Sequence, residues 1–174
     1  RAGHDDVHPH PRWVEPSEWL GGAGPGQLHL VSPQPTTRLH GQMDGVGVSR
    51  ASKIAGREPV LIHPRDAAER GIAQGDIVLV GNSRGRCLAG ASLTEDIMPG
   101  VVALATGAWY SPAEPGKAQS LELHGNPNML TSNRPPSSLS QAPAQHSVLV
   151  FLTKANIHEP VSIHDGGPTG AATQ

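Results

Sequence analysis

Apolar residues along this chain come in short runs separated by turn residues, the rhythm of small strands and not of long helices. Leu28-His29-Leu30-Val31 reads as a first strand, followed by a polar loop from Ser32 to about Ser52. Glu58-Pro59-Val60-Leu61-Ile62 reads as a second. It runs into His63-Pro64-Arg65-Asp66-Ala67-Ala68-Glu69-Arg70-Gly71, where proline suits a first helical position and glycine a helix stop, so one short helix is expected there. A turn and strand over Gly75 to Val80, a hairpin turn over Gly81 to Gly85 and a return strand over Arg86 to Thr94 come next. Val101 to Ala105 and Ser147 to Leu152 complete the set, with a loop-rich stretch over 111–145 between them. About six short strands, one or two small helices and no strand–helix alternation predict a closed, mainly β barrel over 28–154. Residues 1–27 lack apolar periodicity and read as an extended arm or linker, which its two tryptophans, Trp13 and Trp19, could pin down. Residues 155–174 read as a disordered tail.

Composition narrows this picture. Hydrophobic residues make up 36% and aromatics 3%, so the core must be built from Val, Leu, Ile and Ala. Gly (21) and Pro (17) exceed a fifth of the 174 residues, which suits tight turns between short strands. A formal net charge of −2 offers no basic field for nucleic acid or an anionic membrane. No apolar run is long enough for a spanning helix. The single Cys87 excludes an internal disulfide and reads as a small core or surface residue. The chain opens without methionine or a leader and reads as a piece of a longer protein.

Most candidate chemistry dissolves on inspection. His4, His8 and His10 beside Asp5 and Asp6 sit in a proline-rich arm with no fixed geometry, so no metal site is expected. Gly41, Gly45 and Gly47 do not join a strand to a helix, as a dinucleotide fingerprint must. No serine or cysteine stands in a nucleophile signature, and no catalytic residue is assigned. Arg84 and Arg86 read as turn polarity. Two loops resist dismissal. Ser32-Pro33-Gln34-Pro35-Thr36-Thr37-Arg38-Leu39-His40-Gly41-Gln42 packs hydroxyl, amide, guanidinium and imidazole groups directly after a strand. His124-Gly125-Asn126-Pro127-Asn128-Met129-Leu130-Thr131 is rich in amides that both donate and accept. Each reads either as a ligand-binding loop or as an ordinary polar turn.

The stretches WVEPSEWLG, LHLVSPQPTTRLHGQ, KIAGREPVLIHPRDAAERGIAQGDIVLVGNSRGRCLAGA, ATGAWYSP, HGNPNMLT and SSLSQ, in this order over about 13–154, resemble the dimethyl sulfoxide reductase family. That family includes the trimethylamine N-oxide and biotin sulfoxide reductases, and KIAGREP and ATGAWYSP tilt the resemblance toward the last. The resemblance implies a double-psi β-barrel, the carboxy-terminal domain of a bacterial S- or N-oxide reductase, closing on bis(molybdopterin guanine dinucleotide). It implies cofactor contacts at Ser32, Gln34, Arg38, His40 and Gln42, at Asn126 and Asn128, and at Ser138 and Gln141, with Arg38 as the strongest anchor through the cofactor's phosphates. The chain departs from the family at Gly41, where relatives commonly carry serine, and in the approach to SSLSQ over 131–136. The serine that ligates molybdenum lies upstream of this region in the family, so this domain alone is expected to be inactive and to work with upstream domains of the same reductase, in the bacterial cytoplasm or periplasm. The alternatives are a stand-alone barrel acting as an interaction or structural module without cofactor, and a separate subunit of a larger enzyme.

Overall fold

Six strands close into one barrel in the order β1-β5-β2-β4-β3-β6, in a computed structural model that describes residues 3–135, 137–140, 142 and 144–157. They are β1 (Leu28–Val31), β2 (Pro59–Ile62), β3 (Ile77–Gly81), β4 (Arg86–Leu93), β5 (Val101–Leu104) and β6 (Val148–Lys154). Two pairs are parallel, β1 with β5 and β2 with β4, and the other four contacts around the barrel are antiparallel. The fold is the mainly β, double-psi barrel that the sequence leads one to expect, with two short helices, α1 (Gly47–Ala51) and α2 (Pro64–Glu69).

Period-two alternation drives the closure. In β1, Leu28 and Leu30 point into the barrel while His29 and Val31 are half-buried; in β2, Val60 and Ile62 do the same. Val78, Val80, Val102, Leu104, Val148, Val150 and Leu152 fill the rest of the interior. Each such side chain, fully buried, contributes roughly 1.5–3 kcal/mol. Cys87 is also a core residue, and burial pushes its thiol pKa upward. Helix α2 starts as its sequence dictates: Pro64 occupies the first turn, and the His63 ring accepts the Arg65 N–H at 3.2 Å.

The register decides where the loops go. Because β1 and β5 run parallel and β2 runs antiparallel to β5, the exits of β1 and β5 and the entrance of β2 lie at one end of the barrel. The entrances of β4 and β6 join them there, by the same reasoning. The arm reaches this neighbourhood as well. Trp13 is 72% exposed and packs edge-on against Trp19, so the polar contacts of the neighbouring Glu18 are the ones that reach the barrel. Glu18 takes a two-pronged ion pair from Arg84 in the β3–β4 turn and the Leu149 N–H at 2.7 Å, while its carbonyl accepts from Ser147 Oγ at 2.7 Å. Arg84 therefore does more than solvate a turn, as its sequence context suggested. Arg86, by contrast, is exposed. Among the described residues, no helix is long and apolar enough to cross a membrane.

Candidate functional site

Loop 32–58 folds over a ring of four buried charges. Arg38 Nε lies 3.5 Å from Asp44 Oδ1, and Lys53 Nζ lies 2.7 Å from the same oxygen. Lys53 Nζ is also 2.9 Å from Glu58 Oε2, which lies 3.1 Å from Arg38 Nη2 and closes the circle. None of these side chains is more than 3% exposed. Charges alternate around the ring, so each buried ion has two opposite neighbours to offset its lost hydration. Burial works against ionisation of Asp44, but the Lys53 bond, the Trp109 N–H and the charges of Lys53 and Arg38 outweigh it and hold the carboxyl below its ordinary pKa. Helix α1 belongs to this assembly: Ser49 Oγ accepts from Arg38 at 3.2 Å and donates to Asp44 at 3.4 Å.

The segment after β5 ties that loop to its neighbour. Arg38 Nη2 donates to the Thr106 carbonyl at 2.8 Å, Trp109 N donates to Asp44 Oδ2 at 2.9 Å, and the indole donates to the Gly41 carbonyl at 2.6 Å. Gly107 adopts φ 87, and a Cβ there would stand 1.8 Å from the His40 carbonyl oxygen, so only glycine permits this approach. On its other side the same segment holds the 122–130 loop. Asn126 Nδ2 donates to the Ala108 carbonyl at 2.9 Å, and Glu122 Oε1 accepts the Ser111 N–H at 3.1 Å. Glu122 also accepts from the backbone of His124, Gly125 and Asn126 at 2.8 to 3.0 Å. Burial lifts the Glu122 pKa above the ordinary carboxylate value, against the pull of those four N–H donors.

The residues expected to bind a ligand fall into distinct groups. Gln34 and His40 sit exposed and bonded to each other, Gln34 Nε2 donating to His40 Nδ1 at 2.6 Å and Gln34 Oε1 accepting the Thr106 hydroxyl at 3.3 Å. Gln42 and Asn128 are exposed too. Ser32 is buried at the exit of β1, where its N–H donates to His146 Nδ1 at 3.2 Å. Ser32 Oγ and Thr37 Oγ1 are both buried and make no hydrogen bond within the described residues. Thr37 lines a cleft of about 280 Å³ between 33–37 and the entrance of β2.

Other expected contacts face elsewhere. Arg38 is turned inward, its guanidinium committed to the ring. Asn126 is 8% exposed and caps the short turn Pro127–Met129 by accepting the Asn128 N–H at 3.0 Å, so its amide is spent on the fold. Ser138 is exposed and engaged by His4 and Asp6 of the arm. Gln141 lies outside the described residues. Sequence reasoning did not single out Lys53, Glu58, Thr106, Trp109 or Glu122, which organise the site from beneath. Thr106 and Trp109 meet partners 65 to 72 residues away, and none of the five contact sets follows a helical or strand spacing. Among the described residues no cluster of His, Cys, Asp or Glu suits a metal ion.

Known proteins resemble this chain. Residues 28–149 match the family described as "Molydopterin dinucleotide binding domain". The chain is 49% identical over 152 residues to a biotin sulfoxide reductase of Cereibacter sphaeroides, covering 87% of this chain and 20% of that protein. It is 40% identical over 173 residues to a dimethyl sulfoxide/trimethylamine N-oxide reductase of the same organism, covering 98% and 21%. Trimethylamine-N-oxide reductase 1 of Escherichia coli (strain K12) is 43% identical over 158 residues, covering 88% and 18%. The chain thus spans about a fifth of the length of these relatives. Among solved structures, acetylene hydratase from Pelobacter acetylenicus superposes with a TM-score of 0.66 at 18% identity, over 83% of this chain and 21% of that one, a likeness of fold.

Proposed function

Because the chain belongs to the molydopterin dinucleotide binding domain family, we propose that its loop end grips the pterin and phosphate portions of bis(molybdopterin guanine dinucleotide), as the carboxy-terminal domain of a bacterial S- or N-oxide reductase. The observation that carries this reading is the pair of buried hydroxyls of Ser32 and Thr37, which make no hydrogen bond among the described residues. A buried hydroxyl without a partner costs stability unless something arrives to meet it. The cofactor, rich in ring nitrogens, carbonyl and phosphate oxygens, supplies such partners. Gln34, His40, Gln42 and Asn128 are exposed, with amide and imidazole groups that suit a polar heterocycle.

When bound, the group supplies the redox chemistry that reduces an S- or N-oxide, in the manner of a biotin sulfoxide or trimethylamine N-oxide reductase; the protein contributes binding and orientation. Upstream domains of the same reductase would provide the rest of the grip, the metal ligand and the substrate path. The stand-alone interaction module is disfavoured by family membership and by the two orphaned hydroxyls, which a purely structural barrel does not need.

The test exploits opposite signs. Ser32→Ala and Thr37→Val remove hydroxyls that bond nothing among the described residues, so cofactor-free protein should be as stable as the parent or slightly more so. In the full-length reductase the double variant should retain about a tenth of the molybdenum and pterin after gel filtration, the expectation for two hydrogen bonds at about 0.5–1.5 kcal/mol each. Full retention in the double variant would remove the basis for the assignment.

A further inference from the structure

We infer that Lys53, with Asp44 and Glu58, is a positioning residue for the ligand-facing surface of loop 34–42, acting through Arg38. This rests on the cofactor-binding reading above. Arg38 lies between Gln34 and His40 in sequence, yet its side chain points the opposite way and is fully buried. The ring holds it there. Each guanidinium contact within the ring is matched by one from Lys53, which bridges Asp44 and Glu58 at 2.7 and 2.9 Å. With two cations and two anions the ring is neutral, and Arg38 cannot swing out toward a phosphate without leaving Lys53 alone against two buried carboxylates.

Locking Arg38 inward has a geometric result outside. The backbone on either side is forced up and over the ring, and His40 takes φ 51, a left-handed conformation rare for a residue with a side chain. Gly107 packs against the His40 carbonyl, and Thr106 meets both Arg38 and Gln34. Gln34 and His40 therefore stand as a bonded pair on the surface because a charge ring fixes the layer below. The ring supplies shape to the ligand face, and the net positive charge that a phosphate would seek is not part of it.

Charge balance provides the test. In the full-length reductase, Lys53→Met leaves one guanidinium against two buried carboxylates, whereas Lys53→Met with Asp44→Asn leaves one cation against one anion, and the new amide oxygen still accepts the Trp109 N–H. Amide exchange over 34–42 and 106–109 in cofactor-free protein is one readout; molybdenum and pterin retained through gel filtration is the other. Lys53→Met should speed exchange in both loops by about tenfold or more and lower retention about tenfold, with strand amides unchanged. The double variant should return both to within about threefold of the parent. Unchanged loop exchange in Lys53→Met overturns the inference, as does faster exchange with undiminished retention, or a double variant no better than the single. Should Lys53→Met fail to fold, parent-like exchange and retention in the double variant support the inference and raised exchange overturns it. Parent protein that holds no molybdenum or pterin would refute the cofactor reading instead, and the exchange arm would still judge the ring.

Discussion

Glu122 and Asp44 are both fully buried at the loop end of the barrel, yet main chain surrounds one and cations surround the other. Glu122 takes four backbone N–H groups, three of them from the residues two to four positions ahead. Asp44 takes Lys53, Arg38, a serine hydroxyl and one backbone N–H, all from other turns of the chain. The first arrangement is local and dictates the shape of a single loop. The second reaches across the sequence and joins loop 38–58 to the segment after β5. Their protonation responds in opposite directions: burial outweighs the backbone donors and pushes Glu122 up, whereas Asp44 is held down against burial by Lys53, the Trp109 N–H and Arg38.

The comparison breaks most readily at Glu122. Glu122→Ala should strip four buried donors of their acceptor, and at about 1 kcal/mol or more for each the loss is about 4 kcal/mol. Chemical denaturation measures it, and Glu122→Gln should recover part, since one amide oxygen still accepts. A loss below about 1 kcal/mol would mean that water replaces the carboxylate and the loop's shape is set elsewhere. Next comes the joint between the regions. Gly107→Ala forces a side chain into a left-handed conformation and into the His40 carbonyl, which should cost about 2–4 kcal/mol and speed amide exchange around Gly41 and Asp44. The smallest effect sharpens the contrast in sign. The folded pKa of Asp44 is depressed, so its contribution is present above the ordinary carboxylate pKa and is lost as pH falls through the folded value. The folded pKa of Glu122 is raised, so its contribution is present below the ordinary value and is lost as pH rises through the folded one. Asp44→Asn should therefore flatten the acid side of a stability–pH profile, and Glu122→Gln should flatten the loss at higher pH. Equal slopes in the two variants would count against the distinction.

Strands were readable because alternation and turn residues are local signals. The expected bounds of the first strand coincide with β1, and those of the hairpin strands differ from β3 and β4 by a residue or two. The last strand runs beyond the expected Leu152 to Lys154, where Thr153 and Lys154 pair with Leu79 and Val78; polar residues at a ladder's end leave no apolar trace. Helix α1 was invisible for a physical reason. Gly47-Val48-Ser49-Arg50-Ala51 begins with glycine, has no capping side chain, and is held by the buried hydroxyl of Ser49 instead of by propensity. The candidate site was half legible. Dense polar loops marked where a ligand face forms, but not which groups would turn inward. Arg38 reads from the sequence as a phosphate fork, with a salt bridge to nearby Asp44 as the competing account; that bridge is present, and Glu58 and Thr106, 20 and 68 residues away, are the partners the sequence did not show. Asn126 looked available because nothing in HGNPN announces that its amide must satisfy the Ala108 carbonyl. Arg84 looked like turn decoration because its acid is 66 residues upstream.

The placement of β6 has a consequence for how the chain is made. It lies between β1 and β3, antiparallel to both, so it is the stave that closes the cylinder. Until residues 148–154 leave the ribosome, β1 and β3 each present a raw edge of unpaired amides and carbonyls, the kind of surface that invites a second nascent chain. The barrel therefore closes after synthesis of its last strand and not progressively along it, and pairing residues as remote as Leu28 and Val150 favours slow folding. A chaperone or a neighbouring domain that shields those two edges during translation would raise the yield of closed barrel without touching a single residue of the mature site.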